Sequence, residues 1–143
     1  MRYLSLTILL FALAACASPQ QAVSIPDSIL GDWYGTSTCM VKESPCHDEV
    51  VVYHISKTTD PTKVHWAADK IVDGKPEPMG ELDFVYDSTK STLTGEVKIP
   101  RTGGKAIWLF KIEGDKMHGT LTNYPENQLF RTIEVSKKKP DAK

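Results

Sequence analysis

From Gly31 onward the chain alternates apolar and polar residues in short runs, and Gly, Pro, Asp and Asn separate those runs. Successive side chains of a strand point to opposite faces, so a period of two predicts half-buried strands of an antiparallel sheet. Eight strands are expected, near Gly31 to Cys39, Glu49 to Ser56, Lys63 to Ile71, Gly80 to Asp87, Thr92 to Ile99, Ala106 to Glu113, Lys116 to Asn123 and Leu129 to Lys137. Helical spacing is confined to one turn around Pro26 to Leu30, with Asp27 or Ser28 as its cap.

The turns set the register. Gly114-Asp115 is a two-residue link with glycine first, as a tight hairpin requires. It pairs Glu113 with Lys116 and brings Ile112 to Met117, Phe110 to Gly119 and Trp108 to Leu121 on one face. A turn centred on Thr89 and Lys90 sets Tyr86 against Leu93, Phe84 against Gly95 and Leu82 against Val97. A loop from Asp73 to Glu77 brings Ala68 to Leu82, Trp66 to Phe84 and Val64 to Tyr86. Leu129, Arg131, Ile133 and Val135 continue the inward face on the last strand. A meander with one apolar face and no helix to cover it is most economically closed on itself. The expected fold is all-β, an eight-stranded antiparallel up-and-down barrel with no C-terminal helix, although two stacked sheets satisfy the same periodicity.

The expected interior is aromatic. Tyr53, Trp66, Phe84, Tyr86, Trp108 and Phe110 join Trp33 on the inward face and alternate with Ala68, Gly95, Ala106 and Gly119. Small residues opposite large ones either leave a cavity for a small apolar or planar ligand, or interleave to fill a tapering barrel. On the outer face Ile107, Leu109, Thr122 and Phe130 form a candidate patch for a protein partner or a second copy.

The first residues follow a different pattern. Arg2 precedes an apolar run from Leu4 to Ala15, too short to span a bilayer as a helix, that stops at Leu13-Ala14-Ala15-Cys16. This arrangement resembles the signal peptide and lipobox of bacterial lipoproteins. The resemblance implies cleavage before Cys16, acylation of Cys16 with palmitate-like chains, and, with no Asp after the cysteine, anchoring in the outer membrane facing the periplasm. Ordinary secretion with a free Cys16 is the alternative. The expected organisation is a signal peptide at 1-15, a lipidated N-terminus and tether at 16-28, a barrel domain at 29-137 and a disordered tail at 138-143. Once Cys16 is assigned to lipid, Cys39 and Cys46 remain, and an oxidising envelope favours a disulfide between them. A metal site at Cys46-His47-Asp48-Glu49 competes, but it lacks a second ligand pair at zinc-binding spacing.

Gly31-Asp32-Trp33 at the start of the first strand resembles the Gly-x-Trp motif of lipocalins and related calycins. In those families the tryptophan closes one end of an up-and-down barrel and an arginine on the last strand packs across its ring, a role that falls to Arg131 here. The resemblance implies a lipocalin-like barrel domain at 29-137, with strands and loops shorter than in typical lipocalins. The stretch from Cys46 to Tyr53, with Cys39 upstream, is also similar to a group of small uncharacterised bacterial envelope proteins, which implies a location and no activity.

No nucleophile elbow, metalloprotease helix, dinucleotide fingerprint or P-loop is present, so no enzyme and no cofactor are expected. His118 alternates outward, and His54 and His65 are expected to pair on the solvent face, without the third ligand a metal would need. A formal charge of −1 gives no reason to expect nucleic acid as a partner. The sequence therefore points to a lipid-anchored envelope barrel that binds a small apolar ligand, or else to a structural or interaction protein with a filled core.

Overall fold

A computed structural model describes residues 24–137. The expected signal peptide, Cys16, most of the tether and the 138–143 tail lie outside the described residues. A 3-10 turn, Asp27–Ile29, leads into eight strands: β1 (Gly31–Cys39), β2 (Glu49–Lys57), β3 (Lys63–Val72), β4 (Lys75–Asp87), β5 (Thr92–Ile99), β6 (Gly104–Glu113), β7 (Lys116–Tyr124) and β8 (Gln128–Ser136). Each pairs antiparallel with its sequence neighbour, and β1 pairs with β8 from Tyr34↔Ser136 to Cys39↔Arg131, which closes the barrel. Closure leaves no second sheet to stack against, so the sandwich alternative falls.

Short turns decide most of the pairing. Gly114 adopts φ 65, and the hairpin it makes pairs Glu113 with Lys116, Phe110 with Gly119 and Trp108 with Leu121. At Asp73-Gly74 both residues have positive φ (51 and 76), the requirement of a type I′ turn. That two-residue turn replaces the expected five-residue loop and starts β4 at Lys75. The turn pairs Val72 with Lys75, and a bulge between Ala68 and Asp69, with Met79 as the extra residue on β4, moves the pairing by one residue. Together they make the register differ by two from expectation: Val64 meets Phe84, Trp66 meets Leu82 and Ala68 meets Gly80. The same kind of shift separates the two histidines, since His54 lies opposite Ala67 and His65 opposite Ser56. A bulge between Leu121 and Thr122 pairs Leu121 with Arg131 but Thr122 with Leu129, so Leu129 is turned outward instead of inward.

β4 and β5 pair only over Val85↔Thr94 to Asp87↔Thr92, so Phe84 and Leu82 have no ladder partners on β5. Beyond Val85 the earlier half of β4 is an edge, and its Pro76 and Pro78 sit where a missing N–H costs no ladder bond on the β5 side.

The two poles of the barrel differ. One is plugged: Trp33, Val51, Val64, Leu93, Met117 and Ile133 are fully buried there and in the waist, each burial contributing roughly 1.5–3 kcal/mol. Ile29 lies beneath Trp33, whose indole Nε1 donates to the Ile29 carbonyl at 2.8 Å. The expected cap on the 3-10 turn is absent; Asp27 is instead ion-paired with Lys57 at 2.9 Å. The chain enters beside Ile25, packed on this core, and leaves at Lys137, so both described ends lie at the plugged pole. The opposite pole carries the Cys39–Cys46 disulfide loop and the Asp73-Gly74 hairpin.

Arg131 does not close the plugged pole. Lys137 does, with Nζ 4.9 Å from the centroid of the Trp33 ring and donating to the Leu30 carbonyl. Arg131 stands opposite Cys39, six residues back along the strand, or about 20 Å at strand spacing. The cation that covers the tryptophan is thus the residue just after β8, and the inward arginine belongs to the other pole.

Candidate functional site: a cavity at the open pole

At the pole away from Trp33 the barrel holds a cavity of about 280 Å³. Tyr53, Trp66 and Phe84 reach it from β2, β3 and β4, and Trp108 and Leu121 from β6 and β7. Ala68, Leu82 and Val97 complete an apolar wall, with Met79 at the bulge of β4.

Large and small residues share out the space. A Cβ on Gly119 would lie 2.3 Å from Phe110 Cε1, and one on Gly95 would lie 2.8 Å from both Leu82 Cδ2 and Phe84 Cε1, so both glycines are filled by rings and methyls. Ala68 faces the cavity instead. Small-for-large interleaving fills the waist, and above it space remains. Phe110 is fully buried beneath the cavity, its centroid 4.5 Å from Trp66 and 5.9 Å from Tyr53. Tyr86 is buried beside Leu93. Neither Phe110 nor Tyr86 lines the cavity, which corrects their expected place in the ligand wall. The reason is position along the strand, because alternation fixes the face but not the height.

One corner of the cavity is polar, and sequence reasoning missed it as a site. Arg131 Nη1 lies 3.3 Å from Glu49 Oε2 and donates to the Ser37 carbonyl and hydroxyl at 3.2 and 3.0 Å. Its Nη2 donates to the His47 carbonyl at 3.2 Å, which ties the corner to the disulfide loop. The Arg131 and Glu49 side chains are only 14% and 15% exposed. Ser37 is buried, and burial pushes the Tyr53 phenol up, so it is neutral at physiological pH. A signal for the corner was available: Glu49 alternates in phase with Val51 and Tyr53, and Ser37 with Trp33 and Gly35.

Outside the barrel, the histidines sit among carboxylates. His54 bridges Asp32 (2.7 Å) and Asp69 (3.2 Å), which raises its pKa, mostly through the hydrogen bond to Asp32. His65 faces Asp83 and Glu81, and His118 faces Glu134 and Glu113. No group of three His, Cys, Asp or Glu side chains among the described residues is arranged to hold a metal ion. Cys39 and Cys46 are joined as a disulfide, so the competing metal site at Cys46 loses its thiolate. Of the candidate outer patch, Leu109 is exposed while Ile107 and Phe130 are half-buried.

Among solved structures the chain is similar to a redesigned β-barrel, mFAP1, bound to DFHBI, with a TM-score of 0.55 and 16% identity over 78% of this chain and 96% of that one. The likeness shows the fold. No protein-family model and no curated protein matches the chain.

Proposed function

We propose that this protein is a non-enzymatic binding module that holds a small, largely apolar ligand at the open pole of the barrel, and that Cys16 anchors it by lipid in the bacterial envelope, at the periplasmic face of the outer membrane. The cavity carries the first part. Ligand sites typically combine an apolar wall with a few placed polar groups, and here aromatic side chains surround space that meets one buried polar corner. A void of roughly 150 Å³ is enough for benzene, so about 280 Å³ suits a molecule of one or two rings. The similar redesigned barrel was solved with a small molecule bound, which agrees with this use of the architecture. The anchoring rests on the sequence from Arg2 to Cys16.

Native mass spectrometry of the protein purified from its own envelope tests the binding. A retained small molecule is expected, and Ala68→Phe, which occupies the cavity, should release it while leaving the fold intact. Failure of the native chain to retain or take up any apolar compound would overturn the binding role. For the anchor, Cys16→Ser should abolish palmitate labelling and move the protein out of the membrane fraction; labelling that persists would remove Cys16 from that role.

A further inference from the structure

The polar corner decides what kind of molecule the cavity takes, provided that the cavity is the binding site just proposed. Four aromatic rings line the cavity, those of Tyr53, Trp66, Phe84 and Trp108, and Trp66 and Phe84 stack on each other with centroids 4.6 Å apart and planes 28° from parallel. A planar ring laid against such a pair extends the stack in an offset geometry that aromatic systems favour, whereas a kinked or saturated skeleton leaves part of the rings uncovered. At the corner, the Arg131 charge is matched by Glu49 at 3.3 Å, and Arg131 also donates to Ser37 and to the His47 carbonyl. The corner is formally neutral yet still offers a guanidinium donor and a carboxylate acceptor at the cavity surface.

A ligand carboxylate brought there would lose its water and meet Glu49 as a like charge, and a ligand ammonium would meet Arg131 in the same way. A neutral hydroxyl or carbonyl needs neither concession: the hydroxyl donates to the Glu49 carboxylate, and either oxygen accepts from Arg131. We infer that the cavity selects a planar, uncharged aromatic molecule of one or two rings with a hydroxyl or carbonyl on one edge, the rings continuing the Trp66–Phe84 stack and the polar edge on the Arg131–Glu49 pair.

Calorimetric titration of the purified protein with three probes of one shape, naphthalene, 2-naphthol and 2-naphthoate at neutral pH, tests this. Naphthol should bind about tenfold tighter than either of the others, the effect of one hydrogen bond to a charged group. Glu49→Gln leaves the Arg131 charge uncompensated and should reverse the order of naphthol and naphthoate. Equal binding of all three probes, or naphthoate tightest in the native protein, would overturn the selectivity while leaving an apolar binding cavity in place. No binding of any probe would remove the cavity function as well. The ranking of probes on the native protein needs no variant, so a Glu49→Gln chain that fails to fold leaves the test intact.

Discussion

Lys137 lies over the indole face of Trp33, its Nζ 4.9 Å from the ring centroid, and donates to the carbonyl of Leu30. The contact joins the end of the barrel to its beginning. Partial burial lowers the Lys137 pKa, with nearby Asp32 acting the other way. Lys137→Met should destabilise the protein by roughly 1–2 kcal/mol, the sum expected of one cation–π contact and one hydrogen bond. Thermal unfolding would show this as a drop of several degrees, while Lys137→Arg should recover much of it. An unchanged midpoint in Lys137→Met would make the contact energetically silent.

Gly119 and Gly35 should respond differently to the same substitution. A Cβ on Gly119 would collide with the ring of Phe110, whereas one on Gly35 would lie 1.9 Å from the backbone carbonyl of Glu134. Gly119→Ala is expected to cost about 1–3 kcal/mol by overpacking and to be largely rescued by Phe110→Leu, a coupling readable from a double-mutant cycle in urea. Gly35→Ala meets backbone of the paired strand, which no side-chain change can move, so no second-site core substitution should restore it.

The pair His54–Asp32 makes stability depend on pH with a definite sign. The His54 pKa is raised, chiefly by its hydrogen bond to Asp32 and then by Asp69, so its contribution is complete below the ordinary histidine value and is lost as pH rises through the raised one. The Asp32 pKa is lowered, first by that same hydrogen bond, so its contribution is present above the ordinary carboxylate value and is lost as pH falls through the lowered one. Urea midpoints should therefore decline as pH rises above the ordinary histidine value, and Asp32→Asn should flatten that decline. Identical slopes in the two proteins would dissociate the effect from this pair. The groups are partly exposed, so high salt should weaken it.

Reduction of Cys39–Cys46 should act at the cavity as well as on stability. The bond closes a short loop, with a sequence separation of seven, for which chain entropy gives on the order of 2.5 kcal/mol. His47, the residue just after that loop, presents its carbonyl to Arg131. Treatment with a thiol reductant, or Cys39→Ser with Cys46→Ser, should lower the unfolding midpoint and weaken ligand binding together, as followed by tryptophan fluorescence. Retained affinity in the reduced protein would show that the loop does not position Arg131.

The strands were legible because alternation is a strong signal, and closure followed from the lack of any helix to cover the apolar face. What alternation cannot supply is displacement along a strand. Shifting the β3–β4 register by two residues keeps every side chain on its own face, so only the tight Asp73-Gly74 turn and the bulge at Met79 together distinguish Trp66↔Leu82 from Trp66↔Phe84. The same limit explains Arg131. Its inward face was readable, but its height placed it with Glu49 and Ser37 rather than with Trp33. Leu129 was misplaced for another reason, a bulge with no distinctive residue to announce it. The polar corner of the cavity was readable in parts, since Glu49, Ser37 and Arg131 each fall on inward positions, yet nothing local shows that three separate strands bring them together.

Both described ends of the chain leave from beside Trp33, and the cavity lies at the other pole. The molecule is therefore a cup held by its base. Whatever the domain is fixed to through either end, be it a surface, a fusion partner or an immobilising resin, the rim is left facing outward, and guest molecules can exchange without the cup being set down.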